Sequence, residues 1–241
     1  MAEITAYNYS IEPQDVDFTQ RASVATIINY MLNVAGIDAH NKGFGVDALM
    51  GQSVTWVLSR LAVDIAKQPA QYNEVEIDTW VNDFNRLSST RNFVMRLGTE
   101  VLASGVSQWC MFDMEKRQSV DMSMLKDVYM RAMVDAPSPI PMPARLRGVE
   151  PTAKMSRPVV YSDIDFNRHV NTMRYIDLIF DTLPLELIES NAGMRIDINF
   201  LAEARYGDTI TVGSAKDDAG LWQFEITSDE KVLCRAKIEF R

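Results

Sequence analysis

Apolar residues recur at helical spacing near the start of the chain. These positions are Val24, Ile27, Ile28, Met31 and Leu32. The spacing predicts a helix over residues 23–35, closed by Gly36. In the second half of the chain we predict a helix over residues 170–183, ended by Pro184. A short helix is also predicted over residues 125–134.

Strand-like runs surround both long helices and predict a sheet in each half. In the first half they cover residues 6–11, 55–65, 74–82, 92–101 and 107–114. In the second half they cover residues 158–161, 194–201, 208–213, 222–227 and 232–240. An apolar helix followed by antiparallel strands is typical of a sheet wrapped around a buried helix. We therefore expect an α+β fold of two tandem modules that pair edge to edge as a pseudo-dimer, which removes an exposed edge from each.

One segment occurs twice and relates the two modules. Residues 15–23 read DVDFTQRAS, and residues 163–171 read DIDFNRHVN, 148 positions later. Thr19 stands where Asn167 is, and Arg21 stands where His169 is. A second match, of residues 70–74 with 204–208, lies 134 positions apart and places Glu203 opposite Pro69. The first module therefore carries 14 extra residues, which we assign to a region that includes the loop of residues 41–50.

Prolines mark the boundary between the modules. Four of the nine lie between Pro137 and Pro143, which predicts an extended connector. The expected organisation is an N-terminal module over residues 1–135, a linker over 136–150 and a C-terminal module over 151–241. Because only the second copy keeps its polar groups, we expect one active site, in the C-terminal module.

The polar residues of the second copy form a candidate catalytic set. Asp165, Asn167 and His169 alternate, so in extended backbone their side chains project to one side. The predicted helix begins directly afterwards, and the backbone N–H groups of Val170 and Asn171 would stabilise an oxyanion. Glu203 is the fourth member, since the first copy lacks it as well. The alternative for these residues is helix capping and packing, for which Asp and Asn are well suited.

Other kinds of site find less support. A calcium loop would need Gly and Glu where Arg168 and Arg174 stand. A zinc site lacks ligands, because His40 is the only other histidine. No G-x-S-x-G motif is present for a serine triad. Cys110 and Cys234 lack metal-type spacing, and we expect two buried free thiols in a reducing compartment.

Composition and charge narrow the class of partner. The chain is 47% hydrophobic and 24% charged, as in ordinary globular proteins, and has no apolar run long enough for a membrane span. The net charge of −9 argues against nucleic acid. No secretory signal is evident, so we expect a bacterial cytoplasmic protein. A basic stretch is either a docking site for an acidic partner or a solvated linker, and it comprises Arg145, Arg147, Lys154 and Arg157.

Several motifs together resemble the acyl-acyl-carrier-protein (acyl-ACP) thioesterases of plants and bacteria. In the second half the resemblance rests on residues 162–172, Tyr175-Ile176, and Glu203 with Gly207-Asp208. In the first half it rests on residues 43–45, 56–60 and 75–81. The resemblance covers nearly the whole chain and implies a double hotdog fold. It also implies hydrolysis of a fatty acyl thioester on the carrier protein's phosphopantetheine, with no cofactor beyond that group.

The resemblance also assigns roles to individual residues. The family's catalytic set maps onto Asp165, Asn167, His169 and Glu203. We expect Asp165 to act as nucleophile or as general base, His169 to shuttle the proton, and Glu203 to hold or activate water. Asn167 would orient His169 or bind the oxyanion. The family's N-terminal module is associated with the acyl pocket, and the acidic carrier protein would dock on the basic stretch and Arg168.

Three alternatives remain open at this point. An acyl-coenzyme A thioesterase would share the chemistry and differ in the carrier. A hotdog hydratase or dehydratase would also use a histidine with a carboxylate, but Glu203 and the Val170-Asn171 pair argue against it. A binding module without catalysis is disfavoured by the retention of all four polar residues in one copy. Homodimer formation through remaining sheet edges is also left open.

Overall fold

The N-terminal unit is an antiparallel sheet with one long helix packed on it. The computed structural model describes residues 2–49 and 53–241, and the chain divides into two units between Met142 and Pro143. The strands of the first unit are β1 (Thr5–Ser10), β2 (Val54–Ile65), β3 (Glu74–Phe84), β4 (Ser89–Leu97), β5 (Glu100–Asp113) and β6 (Gln118–Val120). Its helices are α1 (Val24–Asn41) and α2 (Lys126–Ala132).

The sheet of this unit has the order β1-β3-β4-β5-β2, with β6 paired to β5. Helix α1 packs closely on it. The Cβ of any residue at Gly105 would lie 3.1 Å from Met31 Sδ and 3.2 Å from a Phe93 ring carbon. Because Gly105 has no side chain, the buried face of α1 can approach the sheet closely at this point of β5.

The C-terminal unit repeats the same arrangement. Its strands are β7 (Ala153–Pro158), β8 (Met194–Phe200), β9 (Thr209–Lys216), β10 (Trp222–Ser228) and β11 (Lys231–Phe240). Its helices are α3 (Thr172–Phe180) and α4 (Leu185–Glu189). The strand order β7-β9-β10-β11-β8 matches the first unit strand for strand, and all pairs are antiparallel. The predicted duplication of one helix-and-sheet module is thus present.

Both long helices differ from their predicted ends. Helix α1 continues past Gly36 to Asn41, and the chain turns at Gly43, whose φ is +79°. A glycine inside a helix is tolerated at a cost of about 1 kcal/mol, so Gly36 was a misleading stop signal. Helix α3 begins at Thr172 rather than at residue 170, and Pro184 precedes the separate helix α4.

Two strand predictions were also displaced. The predicted strand 92–101 crosses a turn at Gly98, where φ is +58°, so its last residues belong to β5. The predicted strand 158–161 is displaced to β7, which precedes a 3-10 helix at Tyr161–Asp163. Within the two described stretches, no helix combines the length and apolar character that a bilayer span requires.

The first residues of the predicted linker over 136–150 belong to the N-terminal unit, and the residues from Pro143 onward belong to the C-terminal unit. The carbonyl of Ala136 accepts hydrogen bonds from the Trp80 indole and the Asn82 amide of the first unit. The Asn199 side chain of the second unit binds the backbone of Ala144 and Leu146. Side-chain hydrogen bonds to the linker backbone thus fix both of its ends.

Candidate active site

The repeated segment has the same backbone geometry in both units. In the second unit, Asp165 N–H donates to His169 O at 2.9 Å, and Arg168 has a left-handed φ of +62°. In the first unit, Asp17 N–H donates to Arg21 O at 2.9 Å, and the residue equivalent to Arg168 has a φ of +60°. The segment is therefore a tight turn, and the expectation of extended backbone over these residues was wrong.

The backbone contacts of this turn correct the alignment of the two copies. Val170 N–H donates to Ala204 O at 2.9 Å, and the equivalent Ala22 N–H donates to Pro69 O at 2.8 Å. Ala204 is thus equivalent to Pro69, an offset of 135 positions instead of 134, and the first copy carries 13 extra residues. Part of this difference lies in the longer α1; Met50, in the predicted insertion loop, lies outside the described residues.

Glu203 therefore has Gln68 as its counterpart, and Pro69 was the wrong partner. Gln68 is buried, and its side-chain amide donates to Ala22 O at 2.8 Å. Glu203 keeps a third of its side chain exposed. An amide turned inward has thus taken the place of a carboxylate that reaches solvent.

His169 and Glu203 form the polar pair at the centre of the candidate site. His169 Nε2 lies 3.4 Å from Glu203 Oε2. The histidine side chain is 11% exposed and Glu203 is 33% exposed, so the pair is open to solvent on the carboxylate side. A partly buried imidazole beside a carboxylate is suited to accept and return a proton. Arg21 and Gln68 occupy these two positions in the first unit, so the pair exists in one copy only.

Asp165 supports the backbone of the turn. Its Oδ1 accepts the N–H of Asn167 at 2.8 Å and the N–H of His169 at 3.3 Å. In the first unit Asp17 Oδ1 accepts the N–H of Thr19 at 2.8 Å in the same way. A carboxylate that performs the same function in both copies explains why Asp165 is the one member of the four candidate catalytic residues that the first copy keeps.

Asn167 and the predicted oxyanion donors differ from expectation. The Asn167 side chain is exposed on the turn, and its backbone N–H donates to Asp165 Oδ1. The prediction that Val170 and Asn171 supply free N–H groups was wrong, because Val170 N–H binds Ala204 O and Asn171 N–H binds Asp163 O at 2.8 Å. Asn171 instead caps α3, since its Oδ1 accepts Met173 N–H.

The next N–H group along the chain is available. Thr172 is the first residue of α3, and its backbone N–H makes no hydrogen bond to any residue that the structure describes. Unpaired N–H groups at the first turn of a helix carry partial positive charge. Thr172 follows His169 by three residues and is the remaining candidate for an oxyanion donor in this turn.

Two residues outside the predicted set hold Glu203. Tyr175 Oη accepts Ala204 N–H at 3.3 Å, and Lys231 Nζ donates to Glu203 O at 2.9 Å. Burial raises the pKa of Tyr175, which keeps its hydroxyl protonated. The repeat alignment contained a signal for Tyr175, because its counterpart at the 148-residue offset is Ile27.

The two cysteines are poorly suited to nucleophilic catalysis. Cys110 lies in β5 and Cys234 in β11, and Cys234 is fully buried. Burial raises the pKa of both thiols, which disfavours the thiolate form that acts as a nucleophile.

The N-terminal unit contains an apolar cavity of about 430 Å³. Its wall is formed largely by α1 and by aromatic side chains. Lining residues include Leu32, Ala35, Gly36, Ala39, Phe44, Trp56, Trp109 and Tyr129. Arg91 also lines it, buried and paired with Asp38 at 2.7 Å. The size and lining suit an aliphatic ligand.

The basic residues predicted for docking fall into two groups. Arg145, Arg147, Lys154 and Arg168 are exposed. Arg157 is engaged within the unit, because its two terminal nitrogens bind the Asp163 carboxylate at 2.7 and 2.8 Å. This ion pair lowers the pKa of Asp163 and supports the start of the active-site turn. Arg157 is thereby removed from the set of residues available for a partner.

The rim of the turn also carries exposed aromatic rings. Tyr161 and Phe166 are 89% exposed, and Tyr206 is 71% exposed. Phe166 lies within the turn, and Tyr206 follows Arg205, which forms a β-bridge with His169. These rings offer exposed apolar contact area on the turn and on the segments next to it in sequence or by backbone pairing.

Comparison with known proteins gives a consistent family. Residues 3–130 match the model of the acyl-ACP thioesterase N-terminal domain, and residues 149–241 match the C-terminal domain. The oleoyl-acyl carrier protein thioesterase 1 of Arabidopsis thaliana is 24% identical over 220 residues, which cover 84% of this chain and 61% of that protein. The chain spans about 60% of the length of the curated plant relatives that it matches.

Solved structures share the fold. A crystal structure of an acyl-ACP thioesterase from Bacteroides thetaiotaomicron is 31% identical, with a TM-score of 0.88 over 99% of this chain and 98% of that one. The 12:0-ACP thioesterase from Umbellularia californica is 18% identical, with a TM-score of 0.86 over 99% of this chain and 97% of that one. The predicted α+β double hotdog fold is confirmed. With both of its units matched by the family's domain models, the chain belongs to the acyl-ACP thioesterase family.

Proposed function

We propose that this protein hydrolyses the thioester between a fatty acyl chain and the phosphopantetheine of acyl carrier protein. The observation that carries the proposal is the His169–Glu203 pair, 3.4 Å apart and present in one of two otherwise matching copies. Family membership and the names of the relatives support the substrate class. The phosphopantetheine arrives with the substrate, so the reaction needs no separate cofactor.

Water is the nucleophile in this proposal. Glu203 holds a water molecule, and His169 accepts its proton as the water oxygen attacks the carbonyl carbon. The tetrahedral intermediate then collapses with cleavage of the C–S bond, and His169 returns the proton to the departing thiolate. The products are a free fatty acid and the carrier with its thiol restored. The thiolate leaves readily because thiols are far more acidic than alcohols.

The backbone N–H of Thr172 is the proposed oxyanion donor. It lies at the N-terminus of α3, where the helix dipole adds to its effect on a developing negative charge. The exposed Asn167 amide is suited to a second hydrogen bond to the substrate carbonyl, because it protrudes from the same turn.

Asp165 acts in this scheme by fixing the turn that carries His169. Its Oδ1 binds the backbone N–H groups of Asn167 and His169, and Asp17 makes an equivalent contact in a copy without the histidine. This shared role favours attack by water over direct attack by Asp165. Replacement of Asp165 would therefore displace His169 as well as remove a charge.

The apolar cavity of the N-terminal unit is the proposed site for the acyl chain. Its lining is dominated by aliphatic and aromatic groups, and its volume lies in the range of small-molecule pockets. The carrier protein is acidic, and the exposed Arg145, Arg147, Lys154 and Arg168 are its proposed contacts.

Release of thiol from matched substrates tests the reaction and the carrier. The same acyl chain would be presented on acyl carrier protein and on coenzyme A, and free thiol would be measured over time. A higher kcat/KM with the carrier protein is expected. Turnover of coenzyme A esters alone would replace the proposal with an acyl-coenzyme A thioesterase. Binding of acyl carrier protein without turnover of either substrate would leave a non-catalytic binding module.

A further inference from the structure

We propose that Tyr175 is a positioning residue that sets the reactive orientation of Glu203. The inference rests on the proposed hydrolytic role of the His169–Glu203 pair. Tyr175 is the fourth residue of α3 and is 4% exposed, and its hydroxyl accepts the N–H of Ala204, the residue after Glu203. It acts through the peptide unit that joins Glu203 to Ala204.

This peptide unit is clamped at both of its polar ends. Its N–H, from Ala204, donates to Tyr175 Oη at 3.3 Å. Its carbonyl, from Glu203, accepts Lys231 Nζ at 2.9 Å. Rotation of this peptide plane would turn the Cα–Cβ bond of Glu203 and move the carboxylate relative to His169. The hydroxyl of Tyr175 and the ammonium of Lys231 oppose that rotation.

The first unit lacks every part of this clamp. Ile27 stands in place of Tyr175 and offers no acceptor, and Pro69 stands in place of Ala204 and offers no N–H. Glu100, the first residue of β5, stands where Lys231 begins β11, and it pairs with Lys67 at 3.2 Å. The hydrogen-bond donor and its acceptor are thus lost together in the copy that has no His–Glu pair.

Packing alone does not account for the hydroxyl of Tyr175. Ile27 is completely buried at the equivalent position, so an apolar side chain fits this part of the fold. The Tyr175 ring lies 6.4 Å from the Phe200 ring, and a phenylalanine would keep that contact. The hydroxyl matters because it reaches the buried Ala204 N–H, which lies directly beside Glu203.

Replacement of the hydroxyl alone tests the proposal. Tyr175→Phe is expected to lower kcat by about 10-fold to 100-fold with little change in KM, because small displacements of a catalytic group have effects of this size. In a Glu203→Ala background, Tyr175→Phe should cost little more, since it acts through that carboxylate. The matched control is Tyr30→Phe on α1, which removes a 2.6 Å hydrogen bond to Asp15 and should leave kcat unchanged.

A second variant removes the donor of the same hydrogen bond, the N–H of Ala204. Ala204→Pro copies Pro69 of the first unit, removes the N–H and keeps the carbonyl that accepts Val170 N–H. It should lower kcat to a similar extent, and combining it with Tyr175→Phe should add little. Full additivity of Tyr175→Phe with Glu203→Ala, or wild-type kcat in both single variants, would overturn the proposal.

The two histidines provide a readout independent of turnover. The imidazole NMR signals of His169 should shift in Tyr175→Phe in the same direction as in Glu203→Ala, whereas those of His40 should not move. Unmoved His169 signals in a folded variant would overturn the positioning role. An absence of thioesterase activity in the wild-type protein, together with these shifts, would overturn the proposed function while supporting the clamp.

Discussion

At the scale of single residues, the comparison of two copies within one chain separates supporting groups from reactive ones. Asp165 and Asp17 make the same contact with the backbone of their turns. Only the turn of the second unit contains a histidine, His169, and its Nε2 lies 3.4 Å from the carboxylate of Glu203. The residue that persists in both copies therefore supports the fold, and the residues that differ are the ones that we assign to the chemistry.

The N–H of Thr172 can be tested by a single substitution. Proline is favoured at the first position of a helix, and Asn171 has φ −59° and ψ 139°, which a following proline accepts. Thr172→Pro should therefore fold normally while it removes the proposed oxyanion donor. We expect kcat to fall by about 10²-fold to 10³-fold.

Thr172→Val is the matched control for this substitution. It copies Val24 of the first unit and keeps the backbone N–H, so its kcat should stay close to the wild-type value. Steady-state kinetics would give kcat for both variants, and thermal unfolding would show whether both are folded. Equal kcat values for the proline and valine variants, both folded, would show that this N–H does not stabilise the transition state.

Residue chemistry could be predicted from sequence only in part. The repeated motif named Asp165 and His169 as candidates, and the comparison of the two halves added Glu203, but the alignment placed Glu203 opposite Pro69. Tyr72 and Tyr206 caused that one-residue error because their side chains match, whereas the structure makes Tyr72 equivalent to Gly207, with φ values of +67° and +88°. Backbone conformation decides the register of such a loop, and side-chain similarity does not reveal it.

At the scale of secondary structure elements, periodicity predicted where the strands and long helices lie, and it predicted some of their ends correctly but not others. Strand β2 ends at Ile65 and β3 begins at Glu74, as the patterns predicted. The end of α1 was misjudged at Gly36, because tertiary packing along the cavity continues the helix where the sequence contains a typical stop signal. Hydrogen bonds between distant segments likewise decided where α3 begins.

Gly36 links helix stability to the proposed acyl site. It lies inside α1 and lines the cavity, and a Cβ there would meet no atom within 4 Å. Gly36→Ala should raise the free energy of unfolding by about 1 kcal/mol, the difference in helix propensity. Gly36→Leu should fill part of the cavity and shift the kcat/KM preference towards shorter acyl chains. An unchanged chain-length profile in a folded Gly36→Leu variant would argue against this cavity as the acyl site.

The ion pair before the active-site turn should make stability depend on pH. Arg157 lowers the pKa of Asp163 below the ordinary value of 3.8. A carboxylate with a lowered pKa stabilises the fold above the unfolded-state pKa, and the contribution is lost as the pH falls through the folded-state value. Asp163→Asn should therefore cost about 2 kcal/mol at neutral pH.

Chemical denaturation at two pH values measures this effect. The difference between Asp163→Asn and wild type should be smaller at a pH below the ordinary carboxyl value of 3.8 than at neutral pH, and it should be lost completely only below the folded-state pKa of Asp163. Arg157→Gln should show the same trend, because it removes the other partner. A difference of equal size at both pH values would contradict an electrostatic origin.

At the scale of the whole molecule, the two units share an architecture and differ in what they carry. Their sheets have matching strand orders, and their turns have matching backbone hydrogen bonds. The N-terminal unit holds an apolar cavity of about 430 Å³, and the C-terminal unit holds the His169–Glu203 pair. We infer that duplication of one module allowed binding of the acyl chain and hydrolysis to become separate tasks.

Recognition of an acidic carrier should depend on the exposed basic residues before β7. Reversing charge at Arg145 and Arg147 should lower kcat/KM for acyl carrier protein substrates and reduce its dependence on salt. Turnover of coenzyme A esters, where measurable, should change less. Lys126→Glu combined with Arg131→Glu is the matched control, since both residues are exposed on α2 of the other unit and the change in net charge is the same. Equal losses in the control and the charge-reversed variant would indicate a general charge effect without a docking site.

The most direct test compares the two copies of the turn. Thiol release from acyl carrier protein substrates would be measured for wild type, His169→Ala and Arg21→Ala, which alter equivalent positions in the two units. We expect His169→Ala to lower kcat by at least about 10²-fold, as for loss of a general acid–base group, and Arg21→Ala to retain wild-type activity. Full activity in a folded His169→Ala variant would contradict the assignment of catalysis to the C-terminal unit.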